Sequence, residues 1–469
     1  MTIRRLRFAL FWLLALLWSG AALAQQRFPP PEFESNYRLP GITILPPRAD
    51  WLEYLDVAVL VTTLGLATWL ALKQRSRQGI FGLSLFSLLY FGFYRQGCIC
   101  AIGAPQNVAY ALFNPGYTVP LVALAFFLLP LVFALFVGRS FCAAVCPHGA
   151  LQDLMLLRPV KVPPWLEQAL GILPYVYLGA GVLFAATGSA FLICRYDPFV
   201  PLFRLSGSMT MLLAGGAFVL TAMFVGRPYC RFLCPYGALL KLASAFSKWR
   251  VRVTPDFCTQ CRLCEHSCPF GALREPSAGA ADPQMLAVER KRLAWELLLL
   301  PLFVVGIGWM GSNLGTAAAK LHPTVGLMER YLQYQKHPVP YPPQSPEALE
   351  LKRAEDNLKE LLPRATAARR QSALAGWLLG GWVGLVVGLK LISLSIRRAR
   401  TDYEPDRGAC FACGRCFEYC PNELVRRGLM PASALKEAEH AGLQPTGTAG
   451  VRAHQESPSL SGSVAPTGK

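Results

Sequence analysis

Length, composition and charge narrow the class of protein before any motif is considered. The chain has 469 residues, of which 53% are hydrophobic and only 16% are charged. This balance is typical of a polytopic membrane protein and argues against two or three soluble domains. The formal net charge of +18 indicates basic cytoplasmic loops, because no basic stretch has the pattern of a nucleic-acid groove binder.

The N-terminus has the features of a secretory signal peptide over residues 1–24. Three arginines precede an apolar run, and a small-residue cleavage site ends at Ala24. An uncleaved first span is the alternative. Both interpretations place the Pro-rich segment that follows outside the cytoplasm.

Seven further apolar runs predict membrane spans. They centre on residues 54–72, 80–97, 118–137, 171–193, 209–225, 293–310 and 373–396. Lys73, Arg75 and Arg77 lie between the first two runs, so this loop is expected in the cytoplasm. Counting spans from it places loop 311–372 in the periplasm.

The predicted fold class is an all-α polytopic membrane protein with duplicated two-span hairpins. A small α+β two-cluster ferredoxin module is expected on its cytoplasmic side. The predicted segments are a signal peptide (1–24), a periplasmic lead-in (25–51), a membrane domain (52–250), a first ferredoxin half (251–292), two further spans around the periplasmic loop 311–372 (293–396), a second ferredoxin half (397–430) and a disordered tail (431–469).

The most informative pattern is a segment that occurs twice. Residues 138–151 and 226–239 both read G-R-x-aromatic-C-x3-C-P-x-G-A-L, and each follows a long apolar run. The cysteines of the two copies are Cys142, Cys146, Cys230 and Cys234. Two hairpins that run in the same direction would bring these four thiols together on the cytoplasmic face. They predict a further redox centre there, and buried structural cysteines are the alternative.

The repeated segment also predicts local geometry. Cys146 and Cys234 are expected at helix N-cap positions, because a proline follows each of them and suits the first helical position. The exposed amides of such a turn would face an anionic cluster. Arg139 and Arg227 would offset its charge. Spacing alone leaves open whether four thiols share one cluster or each pair anchors its own cofactor.

Eight cysteines form two bacterial ferredoxin runs, C-x2-C-x2-C-x3-C-P. The first run is Cys258, Cys261, Cys264 and Cys268, and the second is Cys410, Cys413, Cys416 and Cys420. In two-cluster ferredoxins the fourth cysteine binds the other cluster. We therefore predict two [4Fe–4S] clusters, with Cys420 completing the first set and Cys268 the second. Structural zinc sites use C-x2-C pairs spaced well apart, which this pattern does not match.

Three cysteines lie at the predicted outer ends of the repeated hairpins. Cys98 and Cys100 follow Arg95, and Cys194 precedes Arg195. A disulfide or a buried thiol is one interpretation in an oxidising periplasm. The other is an outer-face redox centre, whose negative charge would pair with the two arginines.

The histidines and the remaining motifs add little to this scheme. His148 and His266 lie inside cysteine motifs and are interpreted as tuning the local field, whereas His322 and His337 are loop residues. No C-x-x-C-H motif predicts a covalent haem. No P-loop motif or nucleophile elbow occurs.

The paired C-x3-C-P hairpins followed by ferredoxin runs resemble the NosR/NapH/CcoG group of bacterial membrane ferredoxins, over roughly residues 50–425. The C-terminal ferredoxin half and Cys98-Ile99-Cys100 are most similar to the membrane half of NosR. The resemblance implies redox-ligand roles for the cysteines of the repeat and of both runs. NosR has a periplasmic flavin-binding domain before its spans. A short segment stands there in this chain, so either a separate flavoprotein docks on the outer face or the function differs from that of NosR.

The resemblance implies a membrane electron carrier, of the kind that serves as a quinol dehydrogenase component. Electrons would pass between the quinone pool or a cytoplasmic reductant and a periplasmic acceptor that docks on loop 311–372. The alternatives are a copper-handling assembly factor, as for CcoG-like members, and a redox-sensing membrane regulator. All three interpretations place the chain among the lipids of the bacterial inner membrane, and none involves nucleic acid.

Overall fold

A computed structural model describes most of the predicted membrane and ferredoxin segments. The described residues are 49–97, 101–253, 258, 260–277, 283–321, 323–336, 352, 355, 357–396, 400 and 402–431. The predicted signal peptide, most of the lead-in and nearly all of the predicted tail lie outside this part of the chain.

The described chain is mostly helical. Its α-helices are α1 (Asp50–Leu72), α2 (Arg77–Ser87), α3 (Ala104–Phe113), α4 (Leu121–Val137), α5 (Pro147–Met155), α6 (Pro164–Leu170), α7 (Leu173–Ala186), α8 (Leu192–Arg195), α9 (Val200–Arg204), α10 (Met209–Ala222), α11 (Pro228–Phe232), α12 (Pro235–Ala245), α13 (Leu263–Ser267), α14 (Pro283–Ala318), α15 (Pro323–Lys336), α16 (Leu358–Ser395) and α17 (Pro421–Arg426). Two π-helical turns, Leu88–Tyr94 and Phe141–Val145, extend α2 and precede α5. Two short 3-10 turns cover Ala319–Leu321 and Arg415–Glu418.

Four described helical segments are long and apolar enough to cross a membrane, judged by length and composition. They are Trp51–Leu72, Pro164–Ala186, Val288–Ala318 and Leu358–Ser395. The apolar helices α4 and α10 are shorter, with 17 and 14 residues. This chain is therefore a membrane protein whose bundle combines full-length and short helices.

Helices α14 and α16 form a long hairpin that extends past the spans predicted at 293–310 and 373–396. With 36 and 38 residues, each is more than 50 Å long at about 1.5 Å per residue. A hydrocarbon core is only about 30 Å thick. Much of the predicted loop 311–372 is therefore helical, and α15 packs against α16 there around Val325, Met328 and Leu361.

The hairpin is held by a seam of small residues. A Cβ on Gly311 would collide with the carbonyl oxygen of Gly376, and a Cβ on Gly380 would collide with that of Ile307. Small residues at every fourth position let helices approach closely in a membrane. The first ferredoxin half precedes α14 and the second follows α16. The tight approach of the two helices therefore keeps the two halves close together.

The two ferredoxin halves close into one module across this inserted hairpin. Strand β1 (Leu273–Arg274) pairs antiparallel with β2 (Glu404–Pro405), with Leu273 opposite Pro405. The Asp406 amide then donates to the carbonyl of Ala272 at 2.7 Å. The pairing joins residues about 130 positions apart, so it depends on the hairpin returning the chain to the same end of the bundle.

Candidate metal centre

The ferredoxin cysteines group across the two halves of the module. Cys264 and Cys420 share a small buried cluster with Val253, Leu273 and Tyr403. Burial raises the pKa of the Cys264 thiol to about 12, and the neighbouring sulfurs add to the rise. Those neighbours are Cys261, Cys258 and Cys420. The cysteine from the second run therefore lies with three cysteines of the first.

In the second group, a cysteine of the first run lies with three cysteines of the second run. Burial raises the pKa of the Cys410 thiol to about 12, with Cys413 and Cys268 adding to the rise. A pocket is lined by the thiols of this group together with Phe270, Phe411 and Arg415. The lining thiols are Cys268, Cys410, Cys413 and Cys416. A metal bound here would displace these protons, because cysteine ligates metals as the thiolate.

The repeated segments fold as predicted at their prolines. Cys146 is the N-cap of α5 and Cys234 is the N-cap of α12, and a proline opens each helix. The Gly237 amide donates to Cys234 Sγ at 3.2 Å. The positive ends of the two helix dipoles therefore converge on the thiols, which favours an anionic group between them.

The thiol site of the repeat lies deeper in the bundle than a position at the cytoplasmic face implies. Tyr236, next to the N-cap of α12, donates from its hydroxyl to the Phe127 carbonyl at 2.7 Å. Phe127 stands ten residues before the end of α4 at Val137, or about 15 Å along the helix axis. Pro147 likewise packs against Gly92 in the π-helical turn that extends α2. Helices α5 and α12 thus begin inside the bundle and run towards its ferredoxin end.

The two copies of the repeat interlock by exchanging side chains. Arg227 donates to the backbone carbonyls of Cys142 and Ala143 in the first copy. Arg139 lies against Gly237 of the second copy, where a Cβ would stand 3.4 Å from Arg139 Nη2. The aromatic rings exchange in the same way, with His148 against Tyr229 and Tyr236 against Phe141.

The exchanged contacts bury all four thiols in one core. Cys142, Cys146, Cys230 and Cys234 are each 5–6% exposed and belong to the same buried cluster. Arg139 Nη2 lies 3.7 Å from Cys142 Sγ, and Gln152 Nε2 donates to Cys230 Sγ at 3.3 Å. Both arginines therefore face the thiol site, as charge compensation requires.

The chemistry around these thiols fits an anionic iron–sulfur group. Several buried polar atoms beside the cysteines have no hydrogen-bond partner within the described residues. They are Arg139 Nε, Ser140 Oγ, His148 Nδ1 and Arg227 Nε. Buried donors are normally satisfied, and sulfur atoms carrying negative charge are suitable acceptors.

Asp153 connects the thiol site to the ferredoxin module. It is 1% exposed and accepts from Arg77 at 2.5 Å and from Arg415, in the second ferredoxin run, at 3.0 Å. Arg227 Nη2 lies 3.7 Å away. Burial opposes the charge on Asp153, but the three guanidinium groups outweigh burial, and the pKa of this carboxyl lies well below its usual range.

A second buried carboxylate fastens the end of the ferredoxin module. Glu423 is fully buried and pairs with Arg75, Arg426 and Arg427. Burial opposes the Glu423 charge, yet the three arginines lower its pKa. Arg75 also donates to the Val253 carbonyl at 2.6 Å. The basic loop, which the sequence predicts to be cytoplasmic, therefore also binds the ferredoxin module.

A pair of aromatic rings lies between the ferredoxin module and the thiol site. The Phe270 and Phe411 ring centroids are 4.8 Å apart. The Arg139 guanidinium lies 4.1 Å from the Phe411 ring and also donates to the Gly408 carbonyl at 3.2 Å. Arg139 thus touches both Cys142 and the backbone beside Cys410.

Of the three predicted outer cysteines, only Cys194 falls within the described chain, and Cys98 and Cys100 do not. Gln106 Nε2 donates to Cys194 Sγ at 3.4 Å, and its Oε1 accepts from the Ile193 amide. Cys194 Sγ also packs so closely on Gly103 that a Cβ there would lie 2.6 Å away. The segment that follows Cys98 and Cys100 is therefore in contact with the Cys194 segment.

Within the described part of the chain, the two arginines near these cysteines contact a carboxylate and an aromatic ring. Arg95 forms a buried ion pair with Asp56 at 3.0 Å, and the Tyr90 hydroxyl donates to the same carboxylate. Arg195 lies over the Tyr196 ring at 5.8 Å. The expected pairing of these arginines with an outer centre stays a prediction, because Cys98 and Cys100 lie outside the described residues.

Several residues that build the site lie outside any cysteine motif. Asp153 and Gln152 follow the first copy of the repeat directly, but only their contacts over long sequence separations show what they do. A buried acid in an apolar helix is the one signal that the sequence offers for Asp153, since an unpaired buried charge is costly. Of the remaining histidines, His266 lies in α13 beside Cys264. His322 and His337 lie outside the described residues.

Two family models match the chain, and both describe a 4Fe-4S binding domain. One matches residues 119–169 and 208–254, which contain the two C-x3-C-P pairs. The other matches residues 251–274, which contain the first ferredoxin run. Iron–sulfur binding is therefore supported independently for the repeat and for the ferredoxin module.

Several known proteins are similar to parts of this chain. The chain is 33% identical to NirI of Paracoccus denitrificans over 30% of this chain and 22% of NirI. It is 28% identical to the regulatory protein NosR of Pseudomonas aeruginosa over 43% of this chain and 30% of NosR. It is 30% identical to MJ0750 of Methanocaldococcus jannaschii, uncharacterised in function, over 39% of this chain and 77% of MJ0750. The chain thus spans less than a third of NirI and NosR. No solved structure matches it.

Proposed function

We propose, from the premise that this chain belongs to the NosR/NapH-like family of membrane-bound ferredoxins, that it conducts electrons across the bacterial inner membrane. Membrane iron–sulfur electron transfer is the activity that the family and its 4Fe-4S domains support. The route, its direction and its two partners are the content of the proposal.

The observation that carries the proposal is the contact between the ferredoxin module and the thiol site. Arg139 reaches Cys142 Sγ and the Gly408 carbonyl with the same guanidinium, and it packs on the Phe411 ring. Asp153 holds Arg415 of the second run at 3.0 Å. Ion pairs in a dry, buried setting fix geometry tightly, so the two sets of thiols stand in a defined relation.

The proposed cofactors are three centres in a series. The proposed sets are Cys258, Cys261, Cys264 and Cys420 for the first, Cys410, Cys413, Cys416 and Cys268 for the second, and Cys142, Cys146, Cys230 and Cys234 for the third. Iron–sulfur clusters supply one-electron transfer at potentials set by hydrogen bonds and burial. The chain's residues contribute the spacing, the exclusion of water and the positive charge.

The position of the third set inside the bundle makes it an intermediate site for electron transfer across the membrane. A hydrocarbon core is about 30 Å thick, so clusters at the ferredoxin end alone leave the whole core to be crossed. Thiols at the tips of α5 and α12 divide that distance. The Cys194 segment then lies on the far side of the thiol site, where an outer-face centre or a disulfide would stand.

We place the ferredoxin module in the cytoplasm, where a soluble reductant or the quinone pool would supply electrons. The helical projection of α15 and the start of α16 would then face the periplasm. It would dock the acceptor, for which the NosR resemblance suggests a flavoprotein. The basic residues Arg75 and Arg77 favour this orientation, since cytoplasmic loops carry excess Lys and Arg.

The proposal is tested on full-length protein purified without oxygen. Two cubes alone require about eight irons, and the third centre adds to that number. Proteoliposomes with trapped dithionite should then reduce external ferricyanide, which does not cross the bilayer. A Cys142→Ser/Cys230→Ser variant should keep the ferredoxin irons and lose this reduction. Iron near zero after reconstitution, or conduction that survives in the variant, would contradict the proposal.

A further inference from the structure

The two copies of the repeat differ in their polar contacts at the position between C-P and G-A-L. Each copy has one residue between its C-P and its G-A-L, His148 in the first and Tyr236 in the second. Both rings pack against an aromatic residue of the other copy, at centroid distances of 5.9 and 6.0 Å. Their polar atoms find different partners, so the exchange of contacts breaks down at this position.

Tyr236 donates to a backbone partner. Its hydroxyl donates to the Phe127 carbonyl in α4, and its ring lies among the rings of Phe127 and Phe141. The contact fastens α12 to a neighbouring span and involves no charged group. Tyr236 therefore serves as the internal reference for what this position does when only packing is required.

His148 finds a carboxylate instead. His148 Nε2 donates to Asp197 Oδ2 at 3.2 Å, and the two residues are 2% and 3% exposed. The rings of Phe199, Phe203 and Tyr229 surround the imidazole at centroid distances of 5.1 to 5.9 Å. A buried charge of this kind is expensive inside a membrane protein and marks a functional position.

Asp197 belongs to the segment that carries Cys194. It stands three residues after that cysteine, in the turn between α8 and α9, and its Oδ1 accepts from the Phe199 amide at 2.9 Å. Helix α8 is itself fastened by Gln106, which bonds both Cys194 Sγ and the Ile193 amide. The His148–Asp197 pair is therefore a direct polar contact between the thiol site and the Cys194 segment.

On the other side, His148 reaches both copies of the repeat. Gln152 Nε2 donates to the His148 carbonyl at 2.8 Å and to Cys230 Sγ at 3.3 Å, and its Oε1 accepts from the Tyr229 amide. A shift of His148 thus displaces the hydrogen bond on a cysteine of the second copy. The chain of contacts runs from the Cys194 segment through Asp197, His148 and Gln152 to Cys230.

We propose that His148 and Asp197 are positioning residues. They fix the thiol site relative to the Cys194 segment and tune the redox centre bound at the thiol site. The proposal rests on the proposed function and names the residues that connect its membrane centre to the far side. Hydrogen-bonded partners of metal ligands orient those ligands and set the electronic properties of the site.

The test uses the full-length protein in nanodiscs and in proteoliposomes, with His148→Phe and the matched variant Tyr236→Phe. His148→Phe should change the low-temperature EPR signal of the thiol-site centre at unchanged iron content. It should also slow ferricyanide reduction by about tenfold to a hundredfold. Tyr236→Phe should leave both readouts close to wild type. His148→Gln, which keeps a donor for Asp197, should restore most of the rate.

Asp197→Asn allows a second measurement, the midpoint potential, which a packing defect alone would not change. It removes a negative charge near an anionic group while keeping the side-chain shape, so the midpoint potential of the thiol-site centre should rise. If His148→Phe fails to insert into the membrane, Asp197→Asn still tests the inference. An unchanged potential in Asp197→Asn would overturn the inference, as would identical EPR signals and rates for His148→Phe and Tyr236→Phe. Wild-type protein without iron or conduction would refute the proposed function, and this inference with it.

Discussion

Arg415 and Asp153 are 262 residues apart in the sequence, yet the Arg415 guanidinium donates to the Asp153 carboxylate at 3.0 Å. Arg415 lies between two cysteines of the second ferredoxin run, and Asp153 lies in the helix that Cys146 caps. The pair therefore joins the ferredoxin module to α5. It lies where this module approaches the thiol site of the repeat. Three arginines share this one carboxylate, so removal of Asp153 would leave them facing one another.

Asp153→Asn should destabilise the folded protein severely. Breaking a buried ion pair by removing one partner costs about 3–5 kcal/mol, because the remaining charges stay buried without compensation. Thermal denaturation in detergent, followed by tryptophan fluorescence, measures the loss. Glu404→Gln is the control, since its partner Arg250 lies 3.5 Å away at a partly exposed site and such pairs contribute at most about 1 kcal/mol. Equal losses in the two variants would contradict the role given to Asp153.

The pH dependence of stability should follow Asp153 and Glu423. Both carboxyls have a pKa below the usual range in the folded chain. Such a group stabilises the fold at pH values above its unfolded pKa, about 4, and that contribution is lost as pH falls towards the folded pKa. We expect a melting temperature that is nearly constant from pH 8 to about pH 5 and falls below about pH 4. Asp153→Asn should fall less steeply, and parallel curves would contradict the prediction.

The exchange of fourth cysteines can be tested with paired substitutions. Cys268→Ser with Cys413→Ser should remove one cube, or about four irons, because both thiols are assigned to the same cluster. Cys268→Ser with Cys261→Ser should remove two. If each run held its own cluster, the two double variants would exchange their iron losses. Iron analysis and EPR of the reduced protein decide between the arrangements.

The glycine seam between α14 and α16 predicts a sharp contrast between two glycines. Gly380→Leu should separate the helices, because even a Cβ at that position would collide with the Ile307 carbonyl. Overpacking of this kind costs about 1–3 kcal/mol or more, and it should displace the second ferredoxin half. Gly306→Leu is the matched control, since a Cβ there meets nothing within 4 Å. Cluster content after purification measures both, and it should fall for Gly380→Leu alone.

Local patterns in the sequence predicted the local geometry well. The prolines after Cys146 and Cys234 start helices and leave these cysteines as caps, because a proline suits the first helical position whatever lies around it. The seven apolar runs also correspond to helices. Their ends were harder to predict, since α14 and α16 continue far past the apolar stretch as paired helices.

Contacts over long sequence separations could not be predicted from one sequence. Arg77 looks like an ordinary loop arginine, and only folding brings it to Asp153. The depth of the thiol site was also missed, because a pair of cysteines after an apolar run suggests a position at the end of a span. The short helices α5 and α12 reverse direction at these cysteines, and no residue pattern distinguishes such a reversal from an exit into water.

The hairpin inserted between the ferredoxin halves has a consequence for how the protein is made. In the proposed arrangement, Cys258, Cys261 and Cys264 emerge from the ribosome first and wait for Cys420, which follows two membrane helices. A chain that stops, or fails to insert, before that point has no complete cube in its ferredoxin module. Cluster acquisition there would report that the last helix has crossed, so iron–sulfur assembly would act as a quality check on membrane insertion.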